Sequence, residues 1–416
     1  MKRKSILTLC AIVSLGAFAQ QTIVKDVEKA IGGLNPDLNA LVAAANNIKP
    51  ALTNDETKGD AKTWYVAGKA NFAIYDKQQT AMMMKQPIDT VLMGNSMVEG
   101  YKYFMTVLPL DSVKQLEKDG SYKLEKDGSV KVKTKYSKEI VNTLVTRHED
   151  FNRAGGLLYD AKHFAEAAEA WGIYANLPYS GLADRSKFVV ADTILGLTAY
   201  YQGIALWQAG NPKDAVGAFA NARKLGYKHK EAYDYALNCA AQAQDNAAIV
   251  AIAEEALQVF GGKDIQYMNI LINDKLNREE FDSAENLINS ALQIDANNAE
   301  LLNLKGLIVE NKGDEDAALV EFKKAIEIDN TLAQGYFNAG RIIMKKVVAQ
   351  QKAMETMNRS DYAKAKEEVL IPLLKEALPY MERAYQLDDS NANAKRILSN
   401  IYYQLGDEEA LQALDK

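Results

Sequence analysis

The composition of this 416-residue chain excludes several classes of protein. Its 49 Lys and Arg residues against 55 Asp and Glu residues give a net charge of −6, and a nucleic-acid-binding protein would need a basic surface instead. Of its two cysteines, Cys10 lies in a segment that we expect to be removed, so no intramolecular disulfide is expected. No later apolar run is long enough to cross a bilayer, and we expect no stable membrane insertion after that removal.

Residues 1–19 have the order of a secretory signal peptide. A basic start is followed by an apolar run over residues 6–18, and the small residues Ala17 and Ala19 mark a cleavage site. Removal takes away three basic residues and no acidic ones, so the net charge falls from −6 to −9. We expect export, to the periplasm of a Gram-negative bacterium, rather than secretion from the cell.

A lipid anchor on Cys10 is the alternative to a soluble exported chain. Leu9 stands where lipid-attachment motifs have a small residue, and the apolar run continues beyond Cys10. The sequence therefore favours the soluble product.

The next two regions are predicted to be helical. Residues 20–59 are interpreted as an N-terminal helical cap. Residues 60–110 are interpreted as the first helical hairpin, and its first helix carries Trp64 and Gly68 at helical spacing. The second helix of this hairpin comes late, so we interpret residues 76–96 as an insertion between the two.

Residues 111–140 break the helical pattern and predict a Lys-rich β-hairpin insertion. The sequence Glu-Lys-Asp-Gly-Ser occurs twice, and apolar residues alternate on both sides of Asp127-Gly128, which predicts a turn there. The lysines have two interpretations, of which we favour the first: they keep exposed strands solvated, or they form a docking finger for an acidic partner. The lysines concerned are Lys123, Lys126, Lys131, Lys133 and Lys135.

Residues 141–389 carry a repeat with a period of 34. One complete copy covers residues 299–332, in which two amphipathic segments are separated by a Lys-Gly-Asp turn. Moving this copy forward by 34 residues places Leu302 on Tyr336 and Gly306 on Gly340. The sequence thus predicts an array of helical hairpins.

The end of the array has an irregular copy and a cap. Residues 346–370 interrupt the last hairpin, and because they are charged and strongly helix-forming, we expect them to lengthen its two helices. Residues 390–416 are interpreted as a C-terminal capping helix, which a repeat array needs at its open end.

This repeat resembles the tetratricopeptide (TPR) family. The family has a large residue, a small residue four positions later, and then alanine, a large residue and alanine on the second helix. Leu302, Gly306, Ala318, Phe322 and Ala325 occupy these places. The resemblance implies an all-α, right-handed superhelical solenoid of about seven antiparallel hairpins, here with a small β-hairpin insertion.

Chemistry-bearing residues are sparse, so no catalytic, metal or cofactor site is predicted. His148, His163 and His229 lie far apart and at no metal-ligand spacing. Cys239 is interpreted as a buried apolar residue. Methionines 82–84 are interpreted as adaptable packing rather than a soft-metal site, because no His or Cys accompanies them.

The resemblance to TPR proteins also implies a binding surface, because the first helices of successive TPR hairpins line a concave face. The corresponding stripe is rich in aromatic and amide side chains, which suit an extended peptide, although the aromatic residues could instead fill gaps between helices. The stripe consists of Tyr65, Lys69, Phe72, Asn152, Tyr159, Tyr200, Ile204, Trp207, Tyr235, Asn269, Asn273, Asn303, Phe337, Arg341, Arg396 and Tyr403.

The predicted function is therefore a non-catalytic scaffold or adaptor of the cell envelope that binds a protein or an extended peptide on the concave face. The alternative is an envelope protein that binds glycans or small molecules, since aromatic side chains stack on sugar rings. The sequence leaves the oligomeric state open.

Overall fold

The computed structural model of the protein describes residues 20–262 and 264–414, which are mainly helical. The predicted signal peptide, with Cys10, lies outside the described residues. Within them, no helix combines the length and the apolar character that crossing a bilayer requires.

The chain divides into two compact units, residues 1–249 and 250–416. The helices and strands up to this division are α1 (20–31), α2 (Leu38–Asn47), α3 (Lys49–Thr53), α4 (Ala61–Met83), α5 (Thr90–Leu110), β1 (Val113–Lys114), β2 (Val132–Lys133), α6 (Ser137–Thr146), α7 (His148–Asp160), α8 (Phe164–Asn176), α9 (Asp192–Gln208), α10 (Pro212–Lys224) and α11 (Lys230–Gln242).

The remaining helices follow in order. They are α12 (Asn246–Val259), α13 (Ile265–Asn277), α14 (Phe281–Ile294), α15 (Ala299–Asn311), α16 (Glu315–Ile328), α17 (Ala333–Met354), α18 (Arg359–Ala365), a π-helical turn (Lys366–Leu370), α19 (Ile371–Leu387), α20 (Ala392–Leu405) and α21 (Glu408–Leu414).

Consecutive helices pack as hairpins in both units. In the first unit α4 packs on α5, α7 on α8 and α9 on α10, and in the second unit α13 packs on α14, α15 on α16 and α17 on α19. The predicted all-α fold of TPR-like hairpins with a small β insertion is confirmed.

A glycine and an aromatic ring lock three of these hairpins. A Cβ on Gly306 of α15 would lie 2.5 Å from the Phe322 ring of α16, so only glycine allows this approach. Gly203 has the same relation to Phe219, sixteen residues later in the chain. Gly155 of α7 and Trp171 of α8 are also sixteen residues apart in the chain, and a Cβ on Gly155 would clash with the indole ring. In each of these hairpins the glycine and the ring are therefore sixteen residues apart, as they are in the predicted repeat unit.

The first hairpin is longer than the repeat. Its α4 continues to Met83, and α5 begins at Thr90, where the Asp89 carboxylate accepts a hydrogen bond from the Leu92 amide. The residues interpreted as an insertion, 76–96, therefore extend both helices of the hairpin and leave only a short connection between them. Of the three methionines there, Met82 packs against the core, while its two neighbours are exposed.

Residues 112–136, called the finger below, form a small β structure with two tight turns. The turns lie at Asp119-Gly120 and Asp127-Gly128, and each aspartate accepts hydrogen bonds from the serine two residues later. Both turns need positive φ, which their glycines supply at 87° and 84°. The sequence predicted the second turn, and the first repeats it.

Three backbone hydrogen bonds close the finger into a ring. The amide of Gln115 donates to Lys131, that of Lys131 donates to Lys123, and that of Lys123 donates to Gln115, over 2.7 to 2.9 Å. The segments around Gln115, Lys123 and Lys131 are each thereby hydrogen-bonded to the other two.

The base of the finger is held by Asp111 at the end of α5. Its buried carboxylate accepts bonds from the backbone amides of Lys135, Tyr136 and Ser137 and from the Ser137 hydroxyl, at 2.7 to 3.0 Å. Burial raises the pKa of Asp111, but these hydrogen bonds outweigh it and hold the pKa below its usual value. The clamp also starts α6, a helix that lies partly within the region predicted as β insertion.

Candidate partner-binding grooves

The N-terminal stripe, defined as Tyr65, Lys69 and Phe72 on α4, is covered by the chain itself. The Tyr65 ring stacks on Tyr136 with ring centroids 4.3 Å apart, and only 8% of the residue is exposed. The Lys69 ammonium lies 3.4 Å from the carboxylate of Glu139 on α6. The segment that leads into α6 therefore occupies the place that the sequence assigned to a ligand.

Phe72 is covered in the same way and is 3% exposed. The guanidinium of Arg147 lies 5.0 Å from the centre of its ring, and two hydrogen bonds of 2.6 Å tie this guanidinium to Asp76. A cation that is oriented by a carboxylate on one side and stacks on a ring on the other is well fixed. Tyr65 and Phe72 are thus core residues of the first unit, and a ligand cannot touch them in this structure.

A polar hollow of about 740 Å³ lies over α6 and α7. Most of its charged groups have partners in the chain: Glu139 pairs with Lys69, and Asp150 accepts a bond from Tyr75 at 2.9 Å. The hydrogen bond from the Tyr65 hydroxyl is the main cause of the lowered pKa of Glu139. Burial acts to raise this pKa, and the nearby positive charge of Lys69 acts to lower it. Lys138 is exposed and has no ion pair among the described residues. The paired groups hold α6 and α7 against α4, so we do not assign partner binding to this hollow.

The aromatic stripe, defined as Tyr159, Tyr200, Trp207 and Tyr235, remains half-exposed on α7, α9 and α11. The Tyr235 ring lies 5.6 Å from Trp207 and 6.2 Å from Tyr200. Burial raises the pKa of Tyr200 to about 12. The structure thus brings these predicted residues of the first unit into one continuous aromatic surface. Two further predicted residues on the same helices, Ile204 of α9 and Asn152 of α7, are half-buried.

The predicted asparagines of the second unit differ in their surroundings. Asn303 is buried, and its side-chain oxygen accepts a bond of 2.9 Å from Asn338 of the next first helix, so it joins two hairpins. Asn273 is exposed. Asn269 is half-buried, and its side-chain oxygen has no hydrogen-bond partner among residues 20–262 and 264–414. Phe337 packs at the edge of a core cluster.

The C-terminal groove lies between α17 and α20 and has a volume of about 750 Å³. It brings together two predicted residues, Arg341 and Arg396. Its further lining is apolar and amide in character, and 60% of Val348 is exposed on its wall. The additional residues that define it are Glu315, Met344, Lys345, Val348, Ala349, Gln351, Ile397, Asn400 and Gln404.

The two arginines of the C-terminal groove are in different electrostatic states. Arg341 makes two hydrogen bonds of 2.6 and 2.5 Å to Glu310, and Lys345 lies 2.7 Å from the same carboxylate. The bonds from Arg341 are the main cause of the lowered pKa of Glu310. Arg396, in contrast, is exposed and makes no ion pair within the described part of the chain. It is the cation available to a ligand.

A second hollow of about 740 Å³ continues the C-terminal groove towards α18 and α19. The two share Gln351, Asn400 and Gln404, and Gln351 of α17 donates a hydrogen bond of 2.7 Å to Gln404 of α20 across the groove. The predicted residue Tyr403 lines this second hollow and is 75% exposed. The groove is therefore long enough to follow an extended chain.

The titratable groups give little support to catalysis. Within the described ranges no cluster of three His, Cys, Asp or Glu residues is arranged to hold a metal ion. Burial raises the pKa of the Cys239 thiol to about 11, which keeps it protonated and unreactive near neutral pH. Burial also lowers the pKa of His148, whose Nε2 lies 2.8 Å from the carbonyl oxygen of Tyr174.

Several groove residues were not among the sequence predictions. Val348 follows Arg341 by two helical turns, and Asn400 follows Arg396 by one, so extending the predicted stripe along each helix would have found them. Gln351 lies in the lengthened part of α17, beyond the end of a regular repeat. Tyr201, 43% exposed and 5.7 Å from Trp171, widens the aromatic stripe from a neighbouring helical position.

The chain is similar to solved structures of repeat proteins. It is 18% identical to YrrB, described as a TPR protein with an unusual peptide-binding site, over 48% of this chain and 89% of YrrB, with a TM-score of 0.35. It is 16% identical to a TPR repeats protein from Bacteroides fragilis over 62% of this chain and 98% of that one, with a TM-score of 0.28.

A longer similarity is to an IFIT1 monomeric mutant, with 14% identity over 94% of this chain and 77% of IFIT1 and a TM-score of 0.33. No protein-family model matches the sequence, and no curated protein matches it. The assignment of TPR-like hairpins therefore depends on the helix pairs and glycine–aromatic contacts of the chain itself.

Proposed function

We propose that this protein is a non-catalytic scaffold of the cell envelope that binds an extended segment of a partner protein in the C-terminal groove. The observation that carries the proposal is Arg396, which is exposed, has no ion pair within the described residues, and lies beside amide and apolar side chains in a continuous groove. Export rests on residues 1–19, whose sequence has the pattern of a signal peptide.

An extended segment fits the chemical character of the groove. Asn400 and Gln404 can each donate to and accept from a peptide backbone, and the bond between Gln351 and Gln404 can be exchanged for bonds to a ligand. Val348 and Ala349, which are exposed, and Ile397, which is half-buried, offer apolar surface for side chains at alternate positions of an extended peptide. A helical partner would satisfy its own backbone and make less use of the amides.

The charges of the groove favour one carboxylate in the partner. Arg341 and Lys345 are neutralised by Glu310 and Glu315, so their positive charges are already balanced. Arg396 can form two parallel hydrogen bonds to a carboxylate, which gives both orientation and affinity. We expect an acidic side chain or a chain terminus at this place.

The test is affinity capture from envelope extract, followed by peptide arrays of each captured protein. Arg396→Ala with Asn400→Ala should lose the partner and weaken its peptide by at least about tenfold, as expected for a hot-spot arginine. Arg278→Ala is the matched control, because Arg278 is an exposed arginine of the same unit whose partner Asp274 lies one turn away on α13. If the double variant and the control capture the same proteins, the groove is not the binding site.

A second candidate is glycan binding on the aromatic stripe. Its support is the half-exposed surface in which the Tyr235 ring lies 5.6 Å from the Trp207 ring and 6.2 Å from the Tyr200 ring. Replacing all three by alanine should abolish binding on an oligosaccharide array and leave the peptide affinity of the C-terminal groove unchanged. Loss of both activities would indicate that the replacement unfolds the chain, which circular dichroism would detect.

A further inference from the structure

The finger exposes more apolar surface than its size requires. Leu116, Tyr122, Leu124 and Val132 are between 48% and 61% exposed, and Val113 is 63% exposed. None of these side chains is needed to close the ring, because the ring is made by backbone hydrogen bonds. Clustered exposed apolar residues indicate a surface that is covered by something else.

The pairing pattern places four of these side chains on one face. Lys114 lies opposite Val132, Leu116 opposite Tyr122, and Leu124 opposite Val130. Residues that are opposite each other or two apart point to the same side of an antiparallel ladder. Leu116, Tyr122, Leu124 and Val132 therefore share a face, together with the Lys114 ammonium, which lies 5.1 Å from the Tyr122 ring centre.

The charge of the finger is opposite to that of the whole chain. Between Ser112 and Tyr136 there are seven lysines and four acidic residues, in a protein whose net charge is −6. Two of the acidic residues, Asp119 and Asp127, are engaged in the turns by their serine partners. By the same pairing Lys123, Lys131 and Lys133 lie on the opposite face, whereas Lys114, Lys118 and Lys126 lie on the side of the apolar face or at its turns. The positive charge of the finger fits an anionic occupant.

The kind of cation distinguishes a lipid surface from an acidic protein. All the cations of this segment are lysines and none is arginine, whereas protein interfaces are enriched in arginine and depleted of lysine. Lysines with long apolar stems beside leucine, valine and tyrosine are typical of segments that lie at a bilayer interface. Clustered lysines near such a surface are attracted by anionic headgroups.

We infer that the finger docks the protein on the surface of a bilayer that contains anionic phospholipids. The face with Leu116, Tyr122, Leu124 and Val132 enters the headgroup region. The lysines on its side, Lys114, Lys118 and Lys126, bind lipid phosphates. The Asp111 clamp joins the finger to α5 and α6, so the bound finger would hold the first unit at the membrane. This inference concerns a different surface from the C-terminal groove and does not depend on it.

The experiment is co-sedimentation with vesicles. The protein is the chain from Gln20 onward, which retains all of the described structure and lacks the apolar run of the signal peptide. The probes are vesicles of phosphatidylcholine alone and of phosphatidylcholine and phosphatidylglycerol in equal parts. We expect binding to the mixed vesicles only, and a marked weakening when the salt is raised to about 1 M, where charges are screened beyond about 3 Å.

Two variants test the two components of the surface. Replacing Lys114, Lys118 and Lys126 by glutamine should weaken binding about a hundredfold, at about fivefold for each lysine. The matched control replaces three exposed lysines outside the finger, Lys213, Lys224 and Lys352, and should bind as the unchanged protein does.

The apolar variant, Leu116→Ser with Leu124→Ser, should also lose at least about tenfold in affinity, while the finger stays folded because these side chains are mostly exposed. The inference is overturned if the protein ignores both kinds of vesicle, if the lysine control is as weak as the finger variant, or if the finger binds polyglutamate but not vesicles, which would indicate an acidic protein partner.

Discussion

The N-terminal stripe on α4 and the C-terminal groove between α17 and α20 occupy corresponding positions in the repeat, but the stripe is covered by the chain and the groove is open. Tyr65 and Phe72 of α4 are nearly inaccessible, because Tyr136, Glu139 and Arg147 lie over them. Tyr403 of α20, in the corresponding stripe, is 75% exposed. The same repeat position is thus part of the core in one unit and part of an open surface in the other.

The difference follows from where each irregular segment leaves the repeat. In the first unit the extra residues are those of the finger, which follows the complete hairpin of α4 and α5. Because of this position, α6 can fold back over α4. In the second unit the extra residues come between the two helices of a hairpin, so they lengthen α17 and raise the wall of the groove. The position of an insertion in a repeat decides whether it covers the binding face or extends it.

The largest expected effect is the difference in unfolding free energy between two Tyr→Ala substitutions, one in each stripe. Tyr65→Ala should lower the free energy of unfolding by about 3 kcal/mol, because it leaves a cavity under Tyr136. Tyr403→Ala should change it by less than about 0.5 kcal/mol, because the ring is exposed. Urea denaturation followed by circular dichroism measures both, and equal effects would contradict the distinction between covered and open stripes.

The clamp that positions α6 should have the next largest effect. Asp111→Asn removes a buried negative charge that accepts hydrogen bonds from Lys135, Tyr136 and Ser137, and should cost about 2 kcal/mol. Because the folded pKa of Asp111 is lowered, its contribution is complete above the usual pKa of 3.8 and is lost as the pH falls through the folded value.

The stability difference between the unchanged protein and Asp111→Asn should therefore shrink as the pH is lowered below about 4. Denaturation at a series of pH values measures this difference. A difference that stays constant with pH would show that the carboxylate charge is not what holds the finger.

A pair of arginines sharpens the comparison within the C-terminal groove. Arg341→Ala should cost about 1 kcal/mol, since it removes two hydrogen bonds to the partly buried Glu310, which retains Lys345. Arg396→Ala should leave stability within about 0.5 kcal/mol and act only on partner binding. Thermal unfolding combined with peptide titration separates the two, and a stability loss for Arg396→Ala would show that Arg396 is not free.

The smallest effect is expected at the exposed contact between the stripe and α6. A double-mutant cycle of Lys69→Ala and Glu139→Ala should give a coupling energy of about 0.5 kcal/mol, because both side chains are about half-exposed and 3.4 Å apart. Hydrogen exchange of residues 137–146 is the second measurement. A coupling of zero with unchanged exchange would mean that the ion pair contributes nothing, and that the Asp111 clamp and the buried Ile140 and Leu144 hold α6.

The hairpins could be predicted from the sequence because their determinants are local. A small residue such as Gly306 and a ring such as Phe322 are separated by the second half of one helix, a turn and the first half of the next helix, which is a fixed number of residues. The turn at Asp127-Gly128 could be predicted for the same reason, since it depends on a glycine with positive φ.

The availability of the binding face could not be predicted, because it depends on contacts distant in sequence. Nothing near Tyr65 shows that Tyr136 will stack on it, since the two are separated by a helix and the finger. The pairing of Asn303 with Asn338 is similar, because an asparagine on the stripe is equally compatible with a ligand and with the next helix. The stripe defines positions, and tertiary packing decides which of them remain exposed.

The ring of the finger has a consequence for self-association. A short β segment with apolar side chains would ordinarily offer unpaired backbone groups as a template for another copy of itself. At Gln115, Lys123 and Lys131 the backbone N–H and C=O groups are hydrogen-bonded to one another. These three residues therefore present no unpaired backbone groups to a strand of a second chain. The finger can therefore display Leu116 and Leu124 to its surroundings without starting a fibril.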